Sequence, residues 1–276
     1  MKPREYETMA AVEERHWWFV GLHHDVAHCL ERFRPAQSRH PVRMLDAGCG
    51  TGGWLTYLAR HAGVMGSRAV TPLWTVGLDL AWEGLQRADA RRLPYLVQGS
   101  VNALPFQSHA FDVVTSLDVL YHQGVDDLRA LQEAIRVLEP GGILVLQVPA
   151  FEWLRSEHDT AIATKRRYTR REIAALVEQA GLVVKHNRYR NSLLFPVLAV
   201  LRLLKRHRRE AEDARSDVGR VPRVVNAWLQ ALLQLETWLA AHGGALPFGL
   251  SVFCVAERPR DTTLAAAPPE MATVGA

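Results

Sequence analysis

One stretch constrains this chain more than any other: Leu45-Asp46-Ala47-Gly48-Cys49-Gly50-Thr51-Gly52-Gly53, where an apolar run meets a glycine-rich turn and then a helical pattern. Glycines at such a turn let the backbone bend sharply and approach a ligand closely. The flanking sequence repeats the same alternation. Short apolar runs with β-branched residues fall at 42–47, 74–80, 94–98, 111–117, 142–149 and 182–189. Helical spacing fills 52–62, 81–91, 125–138 and 169–180. The third of these stops at Glu139-Pro140-Gly141-Gly142; the fourth opens on Thr169, with Glu172 three residues later, and ends at Gly181. Alternation of this kind requires parallel strands joined by right-handed crossovers, hence an open, doubly wound α/β sheet.

Beyond Asn191 the pattern changes. Residues 193–204 are largely apolar and run into the basic cluster Lys205, Arg206, Arg208 and Arg209, and a second amphipathic helix is expected at about 222–241. A last strand is expected within 246–258. The expected organisation is an N-terminal helical cap (1–40), a core (41–191 plus 246–258), a helical insertion (192–245) and a disordered tail (259–276) rich in Pro, Ala and Thr. With 48% hydrophobic and 22% charged residues over 276 positions, fibrous and wholly disordered classes are excluded. Three dispersed cysteines make neither a disulfide framework nor a zinc site, and no metal is expected. The charged opening segment does not read as a secretory signal, and no run is long and apolar enough for a bilayer span, so a cytoplasmic protein is expected.

The glycine loop alone is ambiguous, because Gly48, Gly50 and Gly53 also satisfy the dinucleotide fingerprint. Its neighbours decide between ligands. Asp46, two residues before the first glycine, would oppose a pyrophosphate. It suits S-adenosylmethionine, which has no phosphate and carries cationic sulfonium and ammonium groups. Asp79, at the end of the second expected strand, can accept hydrogen bonds from both ribose hydroxyls. It follows Gly48 by 31 positions, with 63–73 reading as an inserted loop.

LDAGCGTGG, GLDL, QGSVNALPF, FDVVTSLDVLYH and RVLEPGGILVLQVP, in that order, resemble the class I S-adenosylmethionine-dependent methyltransferases, in particular the small-molecule group called type 11. The resemblance covers about 42–150. It implies a seven-stranded sheet whose last strand is antiparallel. It also implies that Gly48, Gly50 and Gly52 line the methionine part of the cofactor with Cys49, that Asp79 and Leu80 hold the ribose, and that Leu117 and Asp118 form the floor under the methyl group. Many relatives place an acidic residue after the glycine of the third motif; Ser100 stands there, with Val101 and Asn102 next. The opening EYETMAAVEERHWWFVG is similar to bacterial methyltransferases associated with polysaccharide or secondary-metabolite pathways.

Methyl transfer needs alignment, exclusion of water and, for a hydroxyl acceptor, removal of a proton. Ligands bind beyond the carboxyl ends of such sheets, which brings forward Tyr121 and His122 after the fourth strand, and His158 with Asp159 after the fifth. Arg166 and Arg167 flank Tyr168 and would suit an anionic acceptor. Trp18, in His16-Trp17-Trp18-Phe19, is a candidate cover for the ligand. The acceptor is expected to be a small molecule or a lipid-linked saccharide. Residues 193–209 are a candidate contact with the inner membrane face, and the 222–241 helix a candidate homodimer contact. An NAD-dependent oxidoreductase is the competing enzyme class, and a non-catalytic S-adenosylmethionine-binding or membrane-interaction protein the competing binder. Leu117-Asp118-Val119-Leu120 replaces the Asn-Pro-Pro-aromatic motif of nucleic-acid methyltransferases, so no nucleic-acid partner is expected.

Overall fold

A computed structural model describes residues 3–33, 41–61, 73–156, 159–160, 162–206, 221–244 and 246–260. Seven strands form one sheet: β1 (Val42–Ala47), β2 (Leu73–Asp79), β3 (Leu96–Gln98), β4 (Phe111–Leu117), β5 (Leu138–Pro149), β6 (Val183–Arg190) and β7 (Ser251–Glu257). Their spatial order is β3-β2-β1-β4-β5-β7-β6. The neighbouring pairs among β1 to β5 are parallel, while β7 runs antiparallel to both β5 and β6. The order reverses between β1 and β4, the switch point at which open α/β sheets bind ligands.

Alternation along the strands separates two cores. Leu45, Val114, Leu144, Leu146, Val252 and Cys254 pack on one face. Met44, Val113, Ile143, Val145, Phe253 and Val255 pack on the other. Because side chains in a strand point alternately up and down, strands this uniformly apolar must be covered on both faces.

The helices provide that cover: α1 (Pro3–Val12), α2 (Trp17–Phe33), α3 (Gly53–His61), α4 (Trp82–Asp89), α5 (Asp127–Val137), α6 (Arg170–Gln179), α7 (Phe195–Arg206) and α8 (Arg223–Ala241). Asp126 caps α5 by accepting from the Arg129 N–H, and Thr169 with Glu172 forms a reciprocal capping box on α6. The expected strand at 142–149 is longer in the structure. Leu138 pairs with Phe111, and the register shifts before Val113 meets Ile143, so α5 ends at Val137 and the Pro-Gly-Gly segment is drawn into the start of β5.

The N-terminal helices are fastened to the distant C-terminal third. Asp25 of α2 is buried between Arg188 and Arg190 of β6 and accepts from the Thr237 hydroxyl of α8. At the α1–α2 corner, Asn226 Oδ1 accepts from the Trp17 N–H at 2.8 Å, and the amides of Asn226 and Gln230 donate to the Arg15 carbonyl. The opposite side of α8 leaves Val224, Trp228, Leu235 and Trp238 exposed. Among the described residues no helix is long and apolar enough to cross a membrane.

Candidate active site

A cavity of about 530 Å³ opens at the switch point. One end is built by the glycine loop. Gly48, Gly50 and Gly52 have φ of 96°, 53° and 78°, the left-handed region that disfavours other residues. A Cβ on Gly48 would stand 2.2 Å from Val119 Cγ2, so the turn also needs the missing side chain for packing. The loop is tied to β2 by the Gly48 and Cys49 N–H groups, which donate to the Leu78 carbonyl.

Three carboxylates face this end. Asp79 Oδ2 accepts from the Gly50 N–H and Oδ1 from the Ala81 N–H, both at 2.8 Å. Asp46 is buried and accepts from the Thr115 hydroxyl at 2.8 Å. Burial pushes its carboxyl up to about 7, and the neighbouring Asp79 and Glu13 push the same way. Glu13, at the end of α1, accepts from the Thr51 hydroxyl and from Arg91. Burial raises Glu13 and Asp79 as well, against the pull of Arg91 on the first and of backbone donors on the second. Among the described residues Asp46 and Asp79 have no ion-pair partner. An end of this character repels phosphate and attracts a cation.

The other end is mostly apolar. Trp18, Phe19, Leu22, Val125 and Ile162 line it, with Asp118, Tyr121 and His122 as its polar groups. Asp118 follows β4 with φ 59° and accepts from Gln147 Nε2 at 2.8 Å. Burial pushes its carboxyl up to about 6, with that hydrogen bond working against the shift. Burial lowers His122 to about 4, and its Nδ1–H donates to the Ile162 carbonyl at 2.9 Å. The Tyr121 hydroxyl is raised far above its ordinary range by burial and by Asp118.

The residues singled out from the sequence divide clearly. Asp46, Gly48, Cys49, Gly50, Asp79, Leu80, Ser100, Val101, Leu117, Asp118, Trp18, Tyr121 and His122 all line the cavity. Gly52 does not; its absent side chain makes room for Leu93 and Ala88 beneath the loop. Asn102 is occupied locally, donating to the Gly124 carbonyl and accepting from the Asp126 N–H. His158 lies outside the described residues. Asp159 and Arg167 form a buried two-pronged pair, at 2.8 and 3.0 Å, and Arg167 also donates to the Ala150 carbonyl. Arg166 pairs with Asp127 and lies over the Tyr168 ring, whose hydroxyl donates to the same Asp127. These four side chains are therefore engaged with one another and with the scaffold, apart from the cavity wall. Sequence reasoning missed Tyr6, Met9 and Glu13, which α1 and the turn after it send into the cavity, although their 3 and 4 spacing matches one helix face.

The strand order, the switch-point cavity and the carboxylate-ringed glycine loop define a class I methyltransferase fold. Comparisons agree. Residues 45–146 match the family described as "Methyltransferase domain". The chain is 36% identical over 140 residues to phthiotriol/phenolphthiotriol dimycocerosates methyltransferase 1 of Mycobacterium ulcerans, covering 49% of this chain and 48% of that protein. It is 35% identical over 110 residues to demethylmenaquinone methyltransferase of Lactococcus lactis, covering 38% and 40%. It thus spans about half the length, or less, of these curated relatives. Phosphoethanolamine N-methyltransferase 2 of Haemonchus contortus, solved with S-adenosyl-L-methionine, shares the fold at a TM-score of 0.52 and 18% identity, covering 86% of this chain and 52% of that one. Residues 45–146 are thus a methyltransferase domain, carried on the class I S-adenosylmethionine-dependent methyltransferase fold.

Proposed function

We propose that this protein transfers the methyl group of S-adenosylmethionine to a hydroxyl of an uncharged, largely apolar acceptor. One observation carries the reading: a single cavity joins a carboxylate-ringed end to an apolar end with no cationic side chain among its lining residues. The cofactor supplies an electrophilic methyl on sulfur, which needs no further activation. The chain's own residues have three tasks. Asp46 and Asp79 hold the cationic and ribose portions. Trp18, Phe19 and Ile162 exclude water and present the acceptor. Asp118, raised to about 6, is ionised at neutral pH yet basic enough to take a hydroxyl proton. His122, lowered to about 4, is neutral there and too weak a base for that task, and it serves as a fixed hydrogen-bonding wall.

Support for an apolar acceptor comes from the lining and from relatives named for phthiotriol dimycocerosates and demethylmenaquinone. Peripheral membrane contact through the insertion belongs to the same reading, since Val197, Val200, Trp228 and Trp238 are exposed on α7 and α8. Incubation with methyl-labelled S-adenosylmethionine and a bacterial extract tests it. Label in the butanol phase is expected, and label confined to the aqueous or protein fraction would refute an apolar acceptor. Flotation with anionic vesicles checks the membrane contact.

A further inference from the structure

The α1–α2 corner contributes a carboxylate that neither the glycine-loop motif nor the fold requires. Tyr6, Met9 and Glu13 form one face of α1 and the turn after it, and all three line the cavity. This face lies directly on the loop. Met9 Cε would be 3.0 Å from a Cβ on Gly50, and the Glu13 carboxylate would be 2.3 Å from one on Gly53. Glu13 is only 4% exposed and sits with Asp46 and Asp79 around one space. Of these three carboxylates only Glu13 has an ion pair among the described residues, with Arg91, which stands outside the cavity lining and also pairs with Glu14. Burying acidic groups together is costly unless positive charge joins them. The glycines at 48 and 50 leave the backbone open to a ligand there, so the site fits a ligand with positive charge at its amino-acid end.

We propose that Glu13 is a cofactor-binding residue that receives the α-ammonium of the methionine moiety, so that cofactor binding fastens the N-terminal helices over the cavity. The inference rests on the S-adenosylmethionine reading above. Thr51 is its positioning residue, because the Thr51 hydroxyl donates to Glu13 Oε1 from within the glycine loop itself. Asn226 and Gln230 bind the Arg15 carbonyl two residues further on, so the same corner is held from its outer side by α8.

The test uses the full chain and calorimetric titration with three ligands: S-adenosylmethionine, S-adenosylhomocysteine and 5′-methylthioadenosine. The last keeps the nucleoside and the sulfur but lacks the amino-acid end. For Glu13→Gln the first two should bind at least ten-fold more weakly, while 5′-methylthioadenosine changes less than two-fold. Thr51→Val should weaken the first two by about three-fold, a factor worth about 0.7 kcal/mol, and again spare the third. Thermal melts of both variants establish that the protein compared is folded; if Glu13→Gln does not fold, Thr51→Val carries the decision. Equal weakening of all three ligands would reduce Glu13 to a packing element, and unchanged affinities would remove it from the site; either result overturns the inference. Failure of the wild-type chain to bind S-adenosylmethionine would instead overturn the cofactor reading.

Discussion

Two clusters of charge lie beyond the carboxyl ends of the strands, and they are assembled in opposite ways. Around the glycine loop, Glu13 pairs with Arg91, and among the described residues Asp46 and Asp79 have no ion-pair partner. After β5, Lys165, Arg166 and Arg167 are matched by Asp127 and Asp159. In the second cluster every charged group has a partner of opposite sign, and the cluster serves as a strut between the β5 loop and α5. The first is incomplete until a cation arrives. Residue type is therefore a poor guide to a binding site, and the balance of buried charge is a better one.

The largest effect that would sharpen this contrast is expected at the strut. Arg167→Met leaves Asp159 buried without its two-pronged partner and should cost about 3–5 kcal/mol of stability, measured by urea denaturation. Cofactor affinity of the folded fraction should stay within two-fold, and a large affinity loss would break the distinction. Next comes Asp79→Asn, which removes the charge and one acceptor for the Gly50 and Ala81 N–H groups. Loss of an interaction of this charged kind is worth about 1.5–3 kcal/mol, so affinity for S-adenosylmethionine should fall roughly 10- to 150-fold in titration.

Titration with pH probes the incomplete cluster directly. Asp46 is raised to about 7, so it is largely neutral at pH 6. A cationic ligand favours the ionised form, hence binding expels a proton and affinity falls as pH drops from 8 to 6. Asp46→Asn should flatten that dependence, and a flat wild-type curve would contradict the assignment. Asp118→Asn should leave cofactor affinity nearly intact and lower kcat by about 100-fold, within the usual range for loss of a general base. The wild-type kcat should rise with pH through about 6, following ionisation of Asp118. The smallest effect belongs to the rim of the strut. Arg166 is 41% exposed, so Arg166→Gln should shift stability by about 1 kcal/mol or less.

Much of the sheet was legible because its strands are buried on both faces and read as unbroken apolar runs between turn signals. The capping pair Thr169 and Glu172, the glycine loop and Asp79 were legible for a similar reason: each is a local pattern whose partners lie within a few residues or one strand away. What escaped depends on distant pairing. Glu13 meets Thr51 across 38 positions, and a glutamate in a charged helix reads as solvent-facing until the helix is placed. Arg167 and Asp159 are only 8 apart, yet whether two such residues face each other or a ligand depends on the path of the loop between them.

The placement of β7 between β5 and β6 has a consequence for synthesis. Strands β1 to β5 can pair as they emerge from the ribosome, but β5 and β6 have no common neighbour until residues 251–257 are made. During that interval both present bare backbone edges, and that of β5 is rich in apolar side chains, the kind of surface that recruits other chains. The nascent protein is thus most exposed to aggregation while the α7–α8 segment is being translated, and a strand late in the sequence closes the sheet from within.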